Sequence, residues 1–178
     1  PFEHQRVSSE FFTLHNRCIN LSDMGCVDAS TEYLSPEGWV RIDQYAGGHV
    51  AQWLPEEQRL EFVAPTEYVK KPCPNMIHWK TRFTDQLLSP EHRVLLYRGD
   101  GSHVVIHAYQ LKTQAAAQDL DLWLHDGETL IPAFPPEGSE FAYGPSPDGF
   151  KYCFMVPSTF LLLRRNGCIF ATGNTGKT

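Results

Sequence analysis

Cys26 and His78 are the thiol and the imidazole of this chain that best suit nucleophilic catalysis. A cysteine hydrolase needs a thiol whose proton is taken by a nearby imidazole, and the segments "MGCVDAS" and "MIHWK" supply one of each. Neither segment carries a nucleophile-elbow or papain-type motif. The sequence therefore predicts no catalytic residues, and a small cysteine hydrolase built on Cys26 and His78 is kept as an alternative.

His103 and His107 are spaced as two metal ligands on one helix face would be. The residues between them are Val104, Val105 and Ile106, which favour a strand instead. Side chains four residues apart on a strand are about 13 Å apart, because each residue advances the chain by about 3.3 Å. One ion with bonds of about 2 Å to each nitrogen does not bridge that distance. The sequence therefore predicts no metal site and no cofactor, with a β-barrel metal enzyme as an alternative.

The chain ends in "ATGNTGKT" (171–178), which satisfies a loose form of the phosphate-loop pattern. Such a loop needs a helix directly after it, whose amino end binds phosphate together with the Lys side chain. The chain lacks the alternation of strands and helices that builds nucleotide-binding folds. We interpret residues 173–178 as a polar tail. An intracellular interaction domain that precedes a nucleotide-binding module is a further alternative.

Arg98-Gly99-Asp100 is a tripeptide that integrins bind on many of their ligands. It lies between two β-rich runs, "RVLLYR" (93–98) and "HVVIHAYQLK" (103–112), so it is expected near the tip of a hairpin. Asp-Gly is also a favoured hairpin turn in its own right, which explains the sequence without a receptor. Both interpretations stay open, and Arg98, Gly99 and Asp100 are candidate receptor-binding residues.

Alternating patterns with a period of two run through much of the chain, separated by turn residues. In "GWVRIDQYA" (38–46), Trp39 shares a face with Arg41 and Asp43, and in "DLDLWLHD" Trp123 lies opposite three Leu residues. A ring on an otherwise polar face is a candidate contact for a partner or a sugar, so Trp39 and Trp123 join the candidate binding residues. The candidate strands are residues 10–15, 38–46, 49–54, 59–64, 76–83, 93–98, 103–112, 120–125, 150–156, 159–165 and 168–173.

Regularly spaced short strands with few helices are typical of an antiparallel sandwich or barrel. We therefore predict an all-β fold, an antiparallel β-sandwich or barrel of roughly 10–12 short strands with long loops. At most one or two short helical turns are expected, at residues 113–120 and around residues 84–88. Residues 126–149 carry five Pro and four Gly, and are predicted to form a long ordered loop packed on the surface.

Composition and charge limit the kinds of partner. The net charge of −6, without a cluster of Lys and Arg, argues against a nucleic-acid surface. No apolar run reaches the roughly 18 residues that span a bilayer. The five Cys, an odd number without CxxC spacing, are expected to be free thiols. The length suits one domain, and the start at Pro1 suggests a single β domain, residues 1–178, cut from a larger protein.

Without an active-site motif, the chain is predicted to be a non-enzymatic recognition domain. An excised, acidic β module with Pro- and Gly-rich loops suits the receptor-facing spike or protrusion domain of a small-virus capsid protein. Such a domain is expected at the virion surface, with the cytoplasm as the alternative. Its predicted partners are a host-cell glycan or protein receptor and a second copy of itself in a homodimer, with no nucleic acid and no membrane insertion.

Overall fold

The computed structural model describes residues 25–174, and antiparallel strands make up most of them. The named strands pair in antiparallel fashion throughout, so the prediction of an all-β antiparallel fold is confirmed. Between them lie one helix, α1 (Leu111–Ala116), and two 3-10 turns, Ile42–Gln44 and Ala108–Gln110. The strands in this range are β1 (Glu32–Ser35), β2 (Gly38–Arg41), β3 (Val50–Leu54), β4 (Arg59–Val63), β5 (Glu67–Pro72), β6 (Met76–Lys80), β7 (Asp85–Leu88), β8 (Arg93–Tyr97), β9 (His103–His107), β10 (Trp123–His125), β11 (Leu130–Pro132), β12 (Glu140–Gly144), β13 (Phe150–Met155), β14 (Phe160–Arg165) and β15 (Cys168–Gly173).

The strands form one large sheet and three smaller ones. The large sheet has the order β2-β1-β14-β3-β4, with β15 paired to β14 as well. The others have the orders β11-β10-β8-β9, β12-β6-β7 and β13-β5. Consecutive strands are often neighbours, as expected of hairpin-rich antiparallel folds.

The aliphatic runs of β8 and β14 are apolar throughout because each strand lies between two hydrophobic cores. On β14, Leu161 points into the larger core and Leu162 into the second one. On β8, Leu96 and Tyr97 divide in the same way. Strands covered on both faces show continuous apolar sequence instead of alternation. These two strands therefore form the rigid centre of the molecule.

Two regions predicted as helix or loop contain strands instead. Residues 84–88, expected as a helical turn, include β7, which pairs with β6 along its whole length. Residues 126–149, expected as a loop, contain β11, paired with β10, and β12, paired with β6. In both places a neighbouring strand supplies the hydrogen bonds, and this pairing outweighs local propensity. The apolar residues of the predicted loop, Ile131 and Phe141, pack against the larger core.

The sequence also predicts Gly-containing connections between neighbouring strands at Tyr45–Gly48, Gly99–Ser102 and Asn166–Gly167. The first does not form a hairpin, because β2 pairs with β1 whereas β3 pairs with β14 and β4. The other two hairpins are present. One joins β8 to β9, and the other joins β14 to β15 through Asn166 and Gly167. These two residues have φ of 50° and 81°, as two-residue turns of the favoured hairpin type require. The predicted strand at residues 10–15 lies outside the described residues, as do residues 175–178 of the predicted tail.

None of the helices within residues 25–174 is long and apolar enough to cross a membrane. The single domain cut from a larger protein stays a prediction.

Candidate active site

Gly25 and Cys26 enter the fold between two strands. Val27 forms one backbone bridge to Leu88, at the end of β7, and another to Tyr152 of β13. The bridge to Tyr152 uses two N–H to carbonyl hydrogen bonds, of 2.9 and 2.8 Å. This anchoring fixes the peptide bond between Gly25 and Cys26 inside the protein, where Cys26 is only 1% exposed.

Ser89 holds Cys26 through both its backbone and its hydroxyl. The Cys26 N–H donates to Ser89 Oγ at 2.9 Å, and the Ser89 N–H donates to the Cys26 carbonyl at 2.9 Å. The nitrogen of the Gly25–Cys26 peptide bond is therefore in hydrogen-bond contact with a hydroxyl. A hydroxyl in that position is able to pass a proton to the nitrogen if the bond breaks.

Gly25 is packed so tightly that no side chain fits. A Cβ atom on Gly25 would lie 2.4 Å from the Cα of His92 and 3.0 Å from the carbonyl oxygen of Asn174. Both neighbours are backbone atoms in a close-packed interior, and they have no room to move aside. The contact brings the residue before Cys26 against the end of β15. The two ends of the described chain therefore meet at one point.

His92 lies beside Gly25 and is buried. Its Nε2 is 2.6 Å from Oγ1 of Thr172 on β15, and its Nδ1 completes no hydrogen bond within residues 25–174. Burial, reinforced by the nearby Arg93 and His107, lowers the pKa of His92 to about 3. A contact with the Gly25 backbone acts in the opposite direction. The imidazole is therefore neutral near pH 7, with one nitrogen able to donate a proton and the other able to accept one.

Asn174 closes the site from the opposite side. Its backbone N–H donates to the carbonyl of Thr159 at 2.8 Å, just beyond the pairing of β15 with β14. Its side-chain Nδ2 is buried and has no hydrogen-bond partner among the described residues. A buried polar group without a partner costs about 1–3 kcal/mol, so its presence calls for a functional explanation.

A second thiol lies against Cys26. Cys153, on β13, is buried, and its thiol forms a hydrogen bond with that of Cys26. Burial, followed by this hydrogen bond, raises the pKa of Cys153 well above its ordinary value. The cysteines within residues 25–174 form no disulfide with one another, whereas Cys18 lies outside that range.

A partly buried ion pair ties the loop after β7 to the strand that carries Cys153. Lys151 is 6% exposed, and its Nζ lies 2.5 Å from Oε1 of Glu91. Burial disfavours the charge of Lys151, but the bond to Glu91 and the nearby Cys26 thiol raise its pKa overall. The ammonium group therefore stays charged beside the thiols. Its charge favours the thiolate form of Cys153 and partly offsets the effect of burial.

A buried charge network fixes the segment that leads out of the site. Arg165 donates from Nε to Asp28 at 3.2 Å and from Nη1 to Asp85 at 2.5 Å. Asp85 also lies 2.9 Å from Nδ2 of Asn166 and 2.7 Å from Nε2 of His78. Burial works to raise the pKa of Asp85, but these partners lower it overall. The network joins the chain after Cys26 to β7 and to the β14–β15 turn.

The site is closed to solvent. Its walls, which include Gly25, Cys26, His92, Cys153 and Asn174, leave no space large enough for a water molecule. Cys26, His92 and Asn174 thus line one dry site together with the Gly25–Cys26 peptide bond. Such an arrangement favours transfer of an acyl group to sulfur over its loss to water.

The alternative in which Cys26 pairs with His78 is not supported by the structure. His78 lies on β6 and bonds to Asp85, whereas the imidazole beside Cys26 belongs to His92. Strand pairing separates His78 from the thiol, and the turn after β7 brings His92 to it.

His103 and His107 both lie on β9, the strand that their neighbours predict. His107 Nδ1 lies 3.1 Å from the carbonyl of Glu91, while the His103 ring contacts Tyr97 and Phe160. Within residues 25–174, no group of three or more His, Cys, Asp and Glu side chains is placed to hold a metal ion.

The Arg98-Gly99-Asp100 tripeptide leads into the turn of the β8–β9 hairpin, and its Gly and Asp are exposed. Asp100 Oδ1 accepts hydrogen bonds from the Ser102 N–H at 2.9 Å and from the Ser102 hydroxyl at 2.6 Å. The Gly99 N–H donates to Asp121 at 2.8 Å, and Arg98 lies 3.9 Å from a neighbouring carboxylate. Whether the tripeptide binds a receptor stays a prediction.

Trp39 and Trp123 are half-buried and pack at the edge of the second core. The guanidinium of Arg164 lies 4.8 Å from the centre of the Trp39 ring. Trp123 Nε1 donates at 3.3 Å to Asp121, the carboxylate that also holds Gly99, so Trp123 lies beside the tripeptide. Both rings fill the edge of the core, and their role in binding a partner stays a prediction.

Sequence analysis found Cys26 but missed Ser89, His92, Cys153 and Asn174. Ser89 and His92 come from one short turn, "SPEH", in which the His92 N–H donates to the Ser89 carbonyl at 3.0 Å. Asn174 is followed in the sequence by a hydroxyl residue. These residues can be recognised as one site only after the strands bring Cys26 and Asn174 together.

Solved structures with a similar fold are intein domains. One is an AceL NrdHF class 3 split intein, a GSH-linked, splice-inactive variant with one Cys and one Asn replaced by Ala. It has a TM-score of 0.70 and 16% identity, over 84% of this chain and 97% of that one. A KlbA intein precursor from Methanococcus jannaschii has a TM-score of 0.61 and 11% identity, over 86% of this chain and 93% of that one. The fold is that of an intein domain.

A bacterial intein-like domain from Clostridium thermocellum is similar as well, with a TM-score of 0.57 and 17% identity over 83% of this chain and 98% of that one. At these identities the likeness concerns the fold alone. No protein-family model matches the sequence, and no curated protein matches it either.

The predicted receptor-facing capsid spike is therefore wrong, because the structural neighbours are intein domains. The predicted host glycan or protein receptor and the predicted homodimer followed from that hypothesis and fall with it. A β scaffold with long loops occurs in proteins of many unrelated functions, so composition and fold class do not distinguish between those functions. The location at the virion surface stays an untested prediction.

Proposed function

We propose that residues 26–174 are a self-splicing segment, which removes itself from its flanking residues and joins them by a new peptide bond. The observation that carries this proposal is the meeting of Gly25, Cys26 and Asn174 in one closed site. A segment that cuts itself out needs a nucleophile at each end, and this site contains both. The intein fold and the Asn replaced in the splice-inactive structure support the assignment. The proposal departs from the expectation of a domain without catalytic activity.

The first step is an acyl shift at the Gly25–Cys26 bond. The Cys26 sulfur attacks the Gly25 carbonyl carbon, a C–S bond forms, and the C–N bond to Cys26 breaks. The thiol proton ends on the freed amine of Cys26, so the step needs no oxidant and no co-reactant. Ser89 Oγ, in contact with the same nitrogen, provides a path for that proton.

His92 acts on the carbonyl side of the same bond. His92 lies against Gly25 with a neutral imidazole, and negative charge develops on the Gly25 carbonyl oxygen as sulfur attacks. A positioned donor in a dry site stabilises that charge without reorganisation of solvent. His92 is therefore a catalytic residue for the first step.

Cys153 is a second thiol that can take the acyl group. Exchange between the sulfurs of Cys26 and Cys153 breaks one C–S bond, forms another and moves one proton. Cys26 is the first acceptor, because it is bonded to the nitrogen that leaves. The raised pKa of Cys153 keeps it protonated until the thioester has formed.

The second cut uses Asn174. Its side-chain nitrogen attacks the Asn174 main-chain carbonyl carbon, closes a five-membered imide ring and releases the following residue as a free amine. The nitrogen is buried and has no hydrogen-bond partner among residues 25–174, so no bond to these residues has to break before it attacks. Between the two cuts, the hydroxyl of Thr175 takes the Gly25 acyl group from sulfur. A final shift of that group from oxygen to the Thr175 amine completes the peptide bond.

The test places the whole chain between two folded reporter proteins and follows the products by gel electrophoresis and mass spectrometry. The expected products are the reporters joined through a Gly25–Thr175 peptide bond and a free segment of residues 26–174. Cys26→Ala is expected to stop the first cut and still allow cleavage after Asn174. Asn174→Ala is expected to stop the second cut, while an added thiol still cleaves before Cys26.

Cys168→Ala and Asn75→Ala are matched controls, since both residues lie away from the site, and both are expected to splice normally. An intact fusion under all conditions would reject the proposal, as would cleaved reporters that never join.

A further inference from the structure

Thr172 lies at the site, but the proposed splicing steps assign it no role. Its side chain is buried at the end of β15, and its hydroxyl lies 2.6 Å from Nε2 of His92. The other partner of the hydroxyl is the carbonyl of Arg93, at 3.3 Å. An O–H donor prefers about 2.7–2.8 Å to its acceptor, so the Arg93 contact is the weaker one. The Thr172 hydroxyl therefore donates its proton to Nε2 of His92 in preference to the Arg93 carbonyl.

The other ring nitrogen of His92, Nδ1, supports the same assignment of the proton. Thr172 engages Nε2, which leaves Nδ1 for the contact with the Gly25 backbone, and this contact favours the protonated ring, as a carbonyl acceptor does and an N–H donor does not. Nδ1 is then the nitrogen that carries hydrogen, and Nε2 is the one that accepts. The bond to Gly25 is incomplete in the resting site, as catalytic hydrogen bonds often are before the reaction tightens them.

We propose that Thr172 is a positioning residue that donates to Nε2 of His92 and so holds the Nδ1–H tautomer toward the Gly25 carbonyl. This inference rests on the proposed splicing reaction for its consequence but not for its geometry. Thr172 itself touches no reacting atom. Without its hydroxyl, the buried Nε2 has no donor, and the Nδ1–H tautomer loses the partner that favours it, so the proton shifts partly toward Nε2.

The direct test is nitrogen-15 NMR of the full chain with labelled His, in a Cys26→Ala, Asn174→Ala background that cannot splice. His92 is expected to show a protonated Nδ1 and an unprotonated Nε2. Thr172→Ser keeps the hydroxyl and is expected to keep this pattern. Thr172→Val removes it and is expected to move the proton toward Nε2, and Thr172→Ala replaces it if Val is not tolerated.

The kinetic test is cleavage before Cys26 by an added thiol, in an Asn174→Ala background. Thr172→Val is expected to slow cleavage by about tenfold or more, part of the effect of losing a general acid, and Thr172→Ser to remain within about threefold of the parent. Thr84→Val is the matched control, because Thr84 is also buried and its hydroxyl bonds to Gln86 away from the site. It is expected to cleave at the parent rate.

The inference is overturned if His92 carries its proton on Nε2 in the parent, or if Thr172→Val leaves the tautomer unchanged. The NMR result does not depend on splicing. A chain that shows the expected tautomers but never splices would contradict the proposed function alone.

Discussion

The hairpin tip at residues 99–102 and the closed site around Cys26 contain similar residue types and differ in how their polar groups are satisfied. At the tip, Asp100 accepts two hydrogen bonds from Ser102, and the Gly99 N–H is held by Asp121. In the closed site, His92 Nδ1 and Asn174 Nδ2 are buried without partners among the described residues.

The two regions differ in the free-energy penalty that their polar groups impose on the folded state. An exposed turn satisfies its polar groups locally or with water, and its sequence follows from turn geometry alone. A buried group without a partner is retained against a penalty of about 1–3 kcal/mol. Among the described residues, four buried side-chain nitrogen or oxygen atoms lack a partner, and two of them, His92 Nδ1 and Asn174 Nδ2, lie in the proposed splicing site, whereas the tripeptide contains none.

The largest expected effect belongs to His92. In an Asn174→Ala background, His92→Asn is expected to slow thiol-induced cleavage before Cys26 by about 10²–10⁴-fold, because a positioned acid–base group is lost. Cleavage rates measured by gel check this. His49→Asn, at an exposed position, is expected to have no effect. Equal rates for the two variants would remove the contrast between closed and exposed sites.

The charge network gives the next largest effect. Arg165→Met leaves the carboxylates of Asp28 and Asp85 buried without their cation, and we expect a loss of about 3–5 kcal/mol in the free energy of unfolding. The adjacent Arg164→Met breaks a more exposed pair with Glu32 and should cost about 0–1 kcal/mol. Urea unfolding of non-splicing variants measures both. Similar losses would show that burial does not set the strength of these pairs.

The pH dependence of stability tests the burial of His92. Its pKa is about 3 in the folded chain and near 6.5 unfolded, so the unfolded state binds the additional proton between these values. Stability therefore falls as pH drops below 6.5, by about 1.4 kcal/mol per pH unit. Asp85, with its lowered pKa, loses its contribution only below its ordinary value of 3.8.

Between pH 7 and pH 5, His92→Asn is accordingly expected to lose about 2 kcal/mol less stability than its non-splicing parent. Urea unfolding at the two pH values measures the difference. The same loss in both chains would mean that His92 is accessible to protons when folded.

The smallest effect is expected at the tip. Asp100→Asn removes a charge whose contacts are confined to an exposed turn, and the splicing rate should stay within about twofold of the parent. A time course of reporter ligation checks this. A large loss of splicing would connect the tip to the site and erase the distinction between the two regions.

The fold was more predictable from sequence than the site. Period-two alternation and Gly-containing turns identified the antiparallel strands and the hairpins at residues 99–102 and 166–167. The strand at Asp85–Leu88 was missed because its pairing with β6, and not its own composition, makes it a strand. Local propensity does not carry that information.

The site was hidden because it depends on the closure of the fold. The sequence singles out Cys26 for its thiol, but it does not show that His92, and not His78, is the nearby imidazole. Only the turn after β7 places His92 beside Cys26. Asn174 and Cys153 are ordinary residues in sequence. Their chemistry arises from what strand pairing brings within contact and from the water it excludes.

The absence of room at Gly25 has a consequence for where such a segment can reside. In a splicing chain, this glycine belongs to the host protein and stays in it after the segment leaves. The backbones of His92 and Arg93 nevertheless dictate its identity, since any Cβ would meet them at 2.4 and 3.0 Å. A splicing segment of this kind therefore requires a glycine directly before Cys26. Moving it into another protein would succeed only at junctions where that protein already has a glycine.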